Sequence, residues 1–327
     1  MKSDEKAAAT KISVIETIIK KYGIYLVLLV MIIISAIISP NFFDSKNLLN
    51  IARQISVTTI IAFGQTLLII CGMIDLSSGS VVALSGVLGV SVYMATGSLL
   101  FAILVGILIG AVTGIISGFF VTKYKMPPFI VTMAMQLVAR GAVYLYTGGQ
   151  PIYQIGDFKK LGQGSIGFMP IPVFFMILVA VCSWVILNRM RLGRYLYAIG
   201  GNEDASRASG IHVGSVKILA FVISGVFAGV AGVLLMGRLN AGLPQAGINY
   251  EFDAITAAII GGTSFTGGIG TAAGTLVGAF IMGILNNILN LMNVQSYVQQ
   301  ILKGVIIVAA VAIDISTKTR KSKPVKM

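Results

Sequence analysis

"LLFAILVGILIGAVTGIISGFFV", Leu99 to Val121, carries no charged residue and is long enough to cross the hydrocarbon core of a bilayer as a helix. Its glycines, Gly106, Gly110, Gly114 and Gly118, recur every four residues. That spacing puts them on one helix face, where a neighbouring backbone can approach closely. Working outward, apolar runs of similar length follow one another along most of the chain. The run before a break at Ser77 is one; the run opened by Pro127 and Pro128 and the run opened by Pro170 and Pro172 are others. Proline at a first helical turn costs no hydrogen bond.

The composition agrees. Of 327 residues, 56% are hydrophobic and 11% are charged, against roughly a quarter charged in soluble domains. The runs are continuous, whereas membrane barrels alternate apolar and polar positions. The expected fold is an all-α, polytopic membrane helix bundle. About ten transmembrane helices are expected, near 23–39, 54–73, 78–96, 99–121, 127–146, 170–188, 216–236, 254–270, 273–292 and 297–314.

The net charge of +13 raises the question of nucleic acid, and its distribution answers it. With the N-terminus placed in the cytoplasm, the outer segments and outer span ends hold only Lys46, Arg53, Arg140, Lys159, Lys160, Arg238 and Lys303 of the 24 Lys and Arg residues. This bias puts both termini in the cytoplasm and makes the basic charge topological, so no nucleic-acid partner is expected. The chain then divides into a basic cytoplasmic tail (1–22), one transmembrane domain in contact with lipid (23–314) and a basic cytoplasmic tail (315–327). The longest internal loop is 189–217. No cleavable signal peptide stands out ahead of the first run.

Within that loop stands "YAIGGNEDASRASGI", Tyr197 to Ile211, a charged and capped segment in an apolar chain. Asn202 is a good N-cap, Glu203 and Asp204 put negative charge in the first turn, and Gly210 can take the left-handed turn that stops a helix. A helix over Glu203–Ser209 is expected. Helices shorter than roughly 12–15 residues are marginal in isolation, so this one is held by its own bundle or by a partner. Its small residues Ala205, Ser206, Ala208 and Ser209 suit close docking.

Other polar positions are few. Asp75, at the end of the second run, either lines a solute path or caps the third helix together with Ser77 or Ser78. Gln65 and Thr66 are weaker path positions. Asn286, Asn290 and Asn293 share one helix face and match sugar hydroxyls, or equally hydrogen bonds between helices. "GGTSFTGGIGT", Gly261–Thr271, reads as an irregular turn. Cys71 and Cys182 read as buried thiols. With His212 the only histidine and no paired carboxylates placed in the bundle, no catalytic or metal site and no cofactor are expected.

Taken together, "SPNFFDSKNLLNIARQIS" (Ser39–Ser56), "GMIDLSSGS" (Gly72–Ser80), "LGRYLYAIGGNE" (Leu192–Glu203), "YEFDAITAAIIGGTSFTGGIGT" (Tyr250–Thr271) and "GILNNILNL" (Gly283–Leu291) resemble, in order, the permease subunits of ABC importers for monosaccharides, the ribose-type family. The family usually reads GGIDLS or SGIDLS where this chain has Cys71, Gly72 and Met73 before Ile74. The resemblance implies a bacterial inner-membrane importer of a ribose-like pentose or a hexose. It implies a cytoplasmic ABC ATPase subunit that grips Gly200, Gly201, Asn202, Glu203, Asp204, Ala205, Arg207 and Gly210. It also implies an extracytoplasmic solute-binding protein and a second permease copy. A powered partner in trans suits the absence of a Gly-x-x-x-x-Gly-Lys-(Ser/Thr) phosphate loop; the chain holds no Gly-Lys pair at all. An ion-coupled secondary transporter is the alternative. It usually carries ionisable relays deep in its spans, where the sequence offers Asp75 alone, with Arg140 and Lys303 near outer ends.

Overall fold

In the computed structural model the described residues are 23–321. The basic tail 1–22 and the last six residues lie outside them. The described residues are mostly helical: α1 (Gly23–Ile38), α2 (Ser45–Ile70), α3 (Ser78–Thr96), α4 (Leu99–Lys123), α5 (Pro128–Thr147), α6 (Lys160–Gln163), α7 (Ile171–Asn188), α8 (Arg191–Gly201), α9 (Glu203–Ala208), α10 (Val213–Leu239), α11 (Tyr250–Ile260), α12 (Ala272–Leu291) and α13 (Ser296–Lys321). A two-stranded ribbon, β1 (Ser165–Ile166) with β2 (Met169–Pro170), pairs Ser165 with Pro170 and Ile166 with Met169.

Among the described residues seven helices are long and apolar enough to cross a membrane: α2, α3, α4, α5, α7, α10 and α12. The apolar stretches Gly23–Ile38 and Ser296–Ala312 are shorter. The span expected over 254–270 is not one helix. It is α11, which rises only about 16 Å, followed by the irregular turn 261–271.

α2 forms the centre, packed against α7, α10, α11 and α12. α10 packs on α4 along the glycine stripe. A methyl at Gly110 would overlap the carbonyl of Gly225, and one at Gly225 would overlap the carbonyl of Gly110. Gly106 meets Gly229 in the same way. The backbones touch because no side chain stands between them, the arrangement that favours association where lipid offers no hydrophobic incentive. Gly274 and Gly278 repeat it against Gly261 and Ala257 of α11. The outward faces of α4, α5 and α7 stay apolar and exposed, with Leu108, Leu137 and Leu178 among them. Cys71 is buried as expected, but Cys182 is exposed on α7: an apolar run serves a lipid-facing side as well as a core.

The helix ends sort into two faces. Lys123, Lys125, Arg189, Arg191, Arg194, Arg207 and Lys217 cluster around the end of α2, the α4–α5 turn, α8, α9 and the start of α10, here termed the basic end. At the opposite end the 147–169 connector is more than a solvated loop, since Ile155, Phe158 and Leu161 are buried. Backbone bonds between Ile152 and Gly242 tie it to the 240–249 segment.

Candidate functional site

The surface segment at the basic end is built in two pieces. α8, which lies within the expected loop, buries Gly193, Leu196 and Ile199. Its last turn runs hard against the end of α2. A Cβ on Gly200 would collide with the carbonyl of Ile70 and approach the N–H of Gly268. That N–H donates to the Ile70 carbonyl at 2.8 Å, and the Tyr197 hydroxyl donates to the Gly270 carbonyl at 2.7 Å. The glycine-rich turn, the end of α2 and α8 are thus one close-packed joint.

α9 follows, capped as the residues dictate. The Asn202 Oδ1 accepts from the Ala205 N–H at 2.9 Å, and the Ser206 hydroxyl donates to the Asn202 carbonyl at 2.8 Å. Gly210 stands at φ 83°, the left-handed region glycine adopts without strain. Glu203 takes Arg207 at 3.0 Å and Lys217, on α10, at 2.6 Å. The hydrogen bond from Lys217 is the main cause that holds the Glu203 carboxyl below the usual carboxylate range, against its partial desolvation. Lys217 is the tether the motif does not reveal. Ser206 is buried under α9, while Asp204, Ala205, Arg207, Ala208 and Ser209 are exposed. The helix is pinned on one side and open on the other.

The path positions divide. Gln65, Asp75 and Ser77 come together, buried, in a closed network. The Ser77 N–H and hydroxyl donate to the Asp75 Oδ1 at 2.8 and 2.6 Å. The Gln65 amide donates to the Asp75 carbonyl and to the Ser78 hydroxyl. The Asp75 carboxylate thus closes on Ser77, the residue before α3, and no side chain caps that helix; Gln65 is what ties the α2–α3 break to α2. The asparagine face does not act as one surface. Asn286 is buried beside Asp253 with its Oδ1 unpartnered. Asn290 accepts from Gln299 at 3.0 Å, and Asn293 stands left-handed just beyond the end of α12.

The main correction lies in α11. Glu251 and Asp253, just ahead of the span expected over 254–270, are both buried in the bundle. Asp253 pairs with Lys303 of α13 at 2.8 Å. Glu251 accepts from Gln136 at 3.0 Å, with its second oxygen unpartnered. Arg140 donates to the carbonyls of Pro244, Ala246 and Gly79 at 2.6, 2.9 and 3.3 Å. The bundle therefore holds these two carboxylates, each with its own partner, and Arg140 and Lys303 point into it. The guanidinium satisfies carbonyls of the segment that turns inward before α11, which would otherwise be costly away from water.

An all-helical membrane bundle of glycine-seamed spans, with a strapped helix on one face and a half-length helix inside, has the build of a multi-pass membrane transport subunit. A family model described as branched-chain amino acid transport system / permease component matches residues 47–311, and the chain belongs to that permease family. It is 43% identical over 317 residues to the ribose import permease RbsC of Bacillus subtilis (strain 168), covering 96% of this chain and 98% of that protein. It is 44% identical over 292 residues to the ribose import permease RbsC of Escherichia coli (strain K12), covering 88% and 91%. The D-allose transport system permease AlsC of the same strain is 39% identical over 297 residues, covering 90% and 91%. No solved structure matches the chain. The chain is accordingly a multi-pass protein of the bacterial inner membrane.

Proposed function

We propose that this chain is the membrane-spanning subunit of an ATP-powered importer that carries ribose, or a closely related monosaccharide, into the cell. The observation that carries the reading is the near-full-length similarity to ribose import permeases. A separate cytoplasmic ATPase grips the open side of α9, through Gly200, Gly201, Asn202, Glu203, Asp204, Ala205, Arg207 and Gly210. Movement of α9 passes through α8 and its Gly200 contact to the end of α2 and the 261–271 turn. Because these are backbone contacts, no flexible side chain absorbs the displacement.

In this reading the chain crosses the membrane in ten segments, the seven long helices together with α1, α11 and α13. Both termini are cytoplasmic, which the basic end supports. An extracytoplasmic binding protein delivers the sugar to the opposite end, and a second permease completes the transporter. Asn286, Asn290 and Asn293 meet sugar hydroxyls along the path. Gln65, Asp75 and Ser77 shape its wall at the α2–α3 break.

The buried Glu251 and Asp253 favour a second reading, an ion-coupled transporter, since acidic groups at membrane depth serve as relays. Reconstitution separates the two. Uptake of labelled ribose into vesicles should require the ATPase subunit, the binding protein and ATP. Uptake driven by a proton gradient alone would overturn the first reading. Ala208→Arg, on the exposed side of α9, should abolish ATP-driven uptake and leave the helical content unchanged; normal uptake in that variant would remove α9 from the contact.

A further inference from the structure

At the basic end, the turn between α4 and α5 and the bases of α9 and α10 enclose a cavity of about 470 Å³. Lys125, Arg207 and Lys217 line it, with Glu203 as its one carboxylate among the described residues. Glu203 is already engaged by Arg207 and Lys217, so three cations face a single shared anion and the wall is net positive. Lys125 has no ion-pair or hydrogen-bond partner among the described residues. It also stands at φ 53°, uncommon for a residue with a side chain. Val213 and Gly214, the first residues of α10, complete that wall, and no side chain caps their helix. A helix start of this kind adds favourable potential for an anion to the three side-chain charges.

The other side of the cavity is greasy. Met126, Pro127 and Pro128 line it. Phe119, Phe120, Tyr124 and Phe129 stand exposed on the same two helices, with Phe120 and Tyr124 stacked at 5.6 Å between ring centroids. A tyrosine at the end of a membrane span, here Tyr124, marks the level of the lipid headgroups, and the phenylalanines beside it offer hydrocarbon a surface. The occupant must therefore present an anion toward Lys125, Arg207 and Lys217 and hydrocarbon along the rings. A small soluble anion meets only the first demand.

We propose that this cavity is a binding site for the phosphate headgroup of an anionic phospholipid, with the acyl chains lying along the exposed faces of α4 and α5. Basic pockets between membrane helices recognise such headgroups by charge. The bound headgroup bridges the α4–α5 turn to the root of α9, which both line the cavity.

The test needs the permease alone, so it stands apart from the ATPase and sugar assignments. The purified chain is equilibrated with mixed micelles of phosphatidylglycerol and phosphatidylcholine, and the lipid that stays bound is counted by native mass spectrometry. Phosphatidylglycerol should be retained in preference. Lys125→Gln should lower its retention about fivefold, the ratio expected for one lysine at an anionic surface, while Lys125→Arg restores it. Lys159→Gln, at the opposite end, should leave it unchanged. Equal retention of the two lipids, or full retention in Lys125→Gln, overturns the site. If inorganic phosphate raises the unfolding temperature as far as phosphatidylglycerol does, the cavity takes a free anion and the lipid assignment falls.

Discussion

α9 and α11 are both short helices, of 6 and 11 residues, and they handle charge in opposite ways. α9 lies at the surface with Glu203 two-fifths exposed, where water shares the work of Lys217 and Arg207. α11 starts inside the bundle, and its Asp253 side chain is only 8% exposed. Surface pairs contribute little on their own. A buried pair costs several kcal/mol to desolvate and becomes harmful when one partner is lost. The charge on α9 is thus adjustable, and the charge on α11 is committed to one partner.

That contrast predicts its own largest effect. Lys303→Met strands Asp253 in the bundle and should destabilise the chain by about 3 kcal/mol, read as a lower unfolding temperature in detergent. The double variant Asp253→Asn with Lys303→Met should recover most of the loss. Equal losses in the single and double variants would mean that Asp253 is solvated after all, and the contrast would collapse. Next in size is Gly200→Ala, which drives a methyl into the Ile70 carbonyl and should cost about 2 kcal/mol. Gly201→Ala is its control: nothing lies within 4 Å of the added carbon, so the change should stay within about 0.5 kcal/mol. If both behave alike, α9 is not held through the α8 joint.

The smallest effect sharpens the other half of the comparison. Glu203 is held below its ordinary range, so its bonds to Lys217 and Arg207 contribute at and above the unfolded carboxylate pKa and vanish as pH falls through the lower folded value. Amide exchange in α9, divided by its intrinsic rate at each pH, should therefore stay constant from neutral pH down into the ordinary carboxylate range and rise only below it. A rise beginning above pH about 4.3, the free glutamate value, would show that the tether to Lys217 is not formed.

What the sequence made legible follows the range of the forces involved. α9 was readable almost to the residue, Glu203–Ser209 expected and Glu203–Ala208 found, because capping is settled within a few positions. The starts at Pro128 and just after Pro170 were readable for the same reason. The α4 stripe announced a close neighbour without naming α10. α11 was hidden because Glu251 is met by Gln136, 115 residues away, and Asp253 by Lys303, 50 residues away. Hydropathy counts such charges against burial. Cys182 was misplaced because a run apolar all round serves both lipid and core. α8 escaped notice inside a loop, since its burial depends on the end of α2 and on a turn some seventy residues further along.

Main chain against main chain along α4 and α10 leaves no layer between the two that could slip or repack. The pair must travel as one plank. α10 begins five residues after α9 ends, so any shove at the surface would meet a seam with no soft interlayer. The same seam makes the plank intolerant of bulk: a methyl added at Gly110, Gly225 or Gly229 runs into a facing carbonyl, and main chain must shift to admit it.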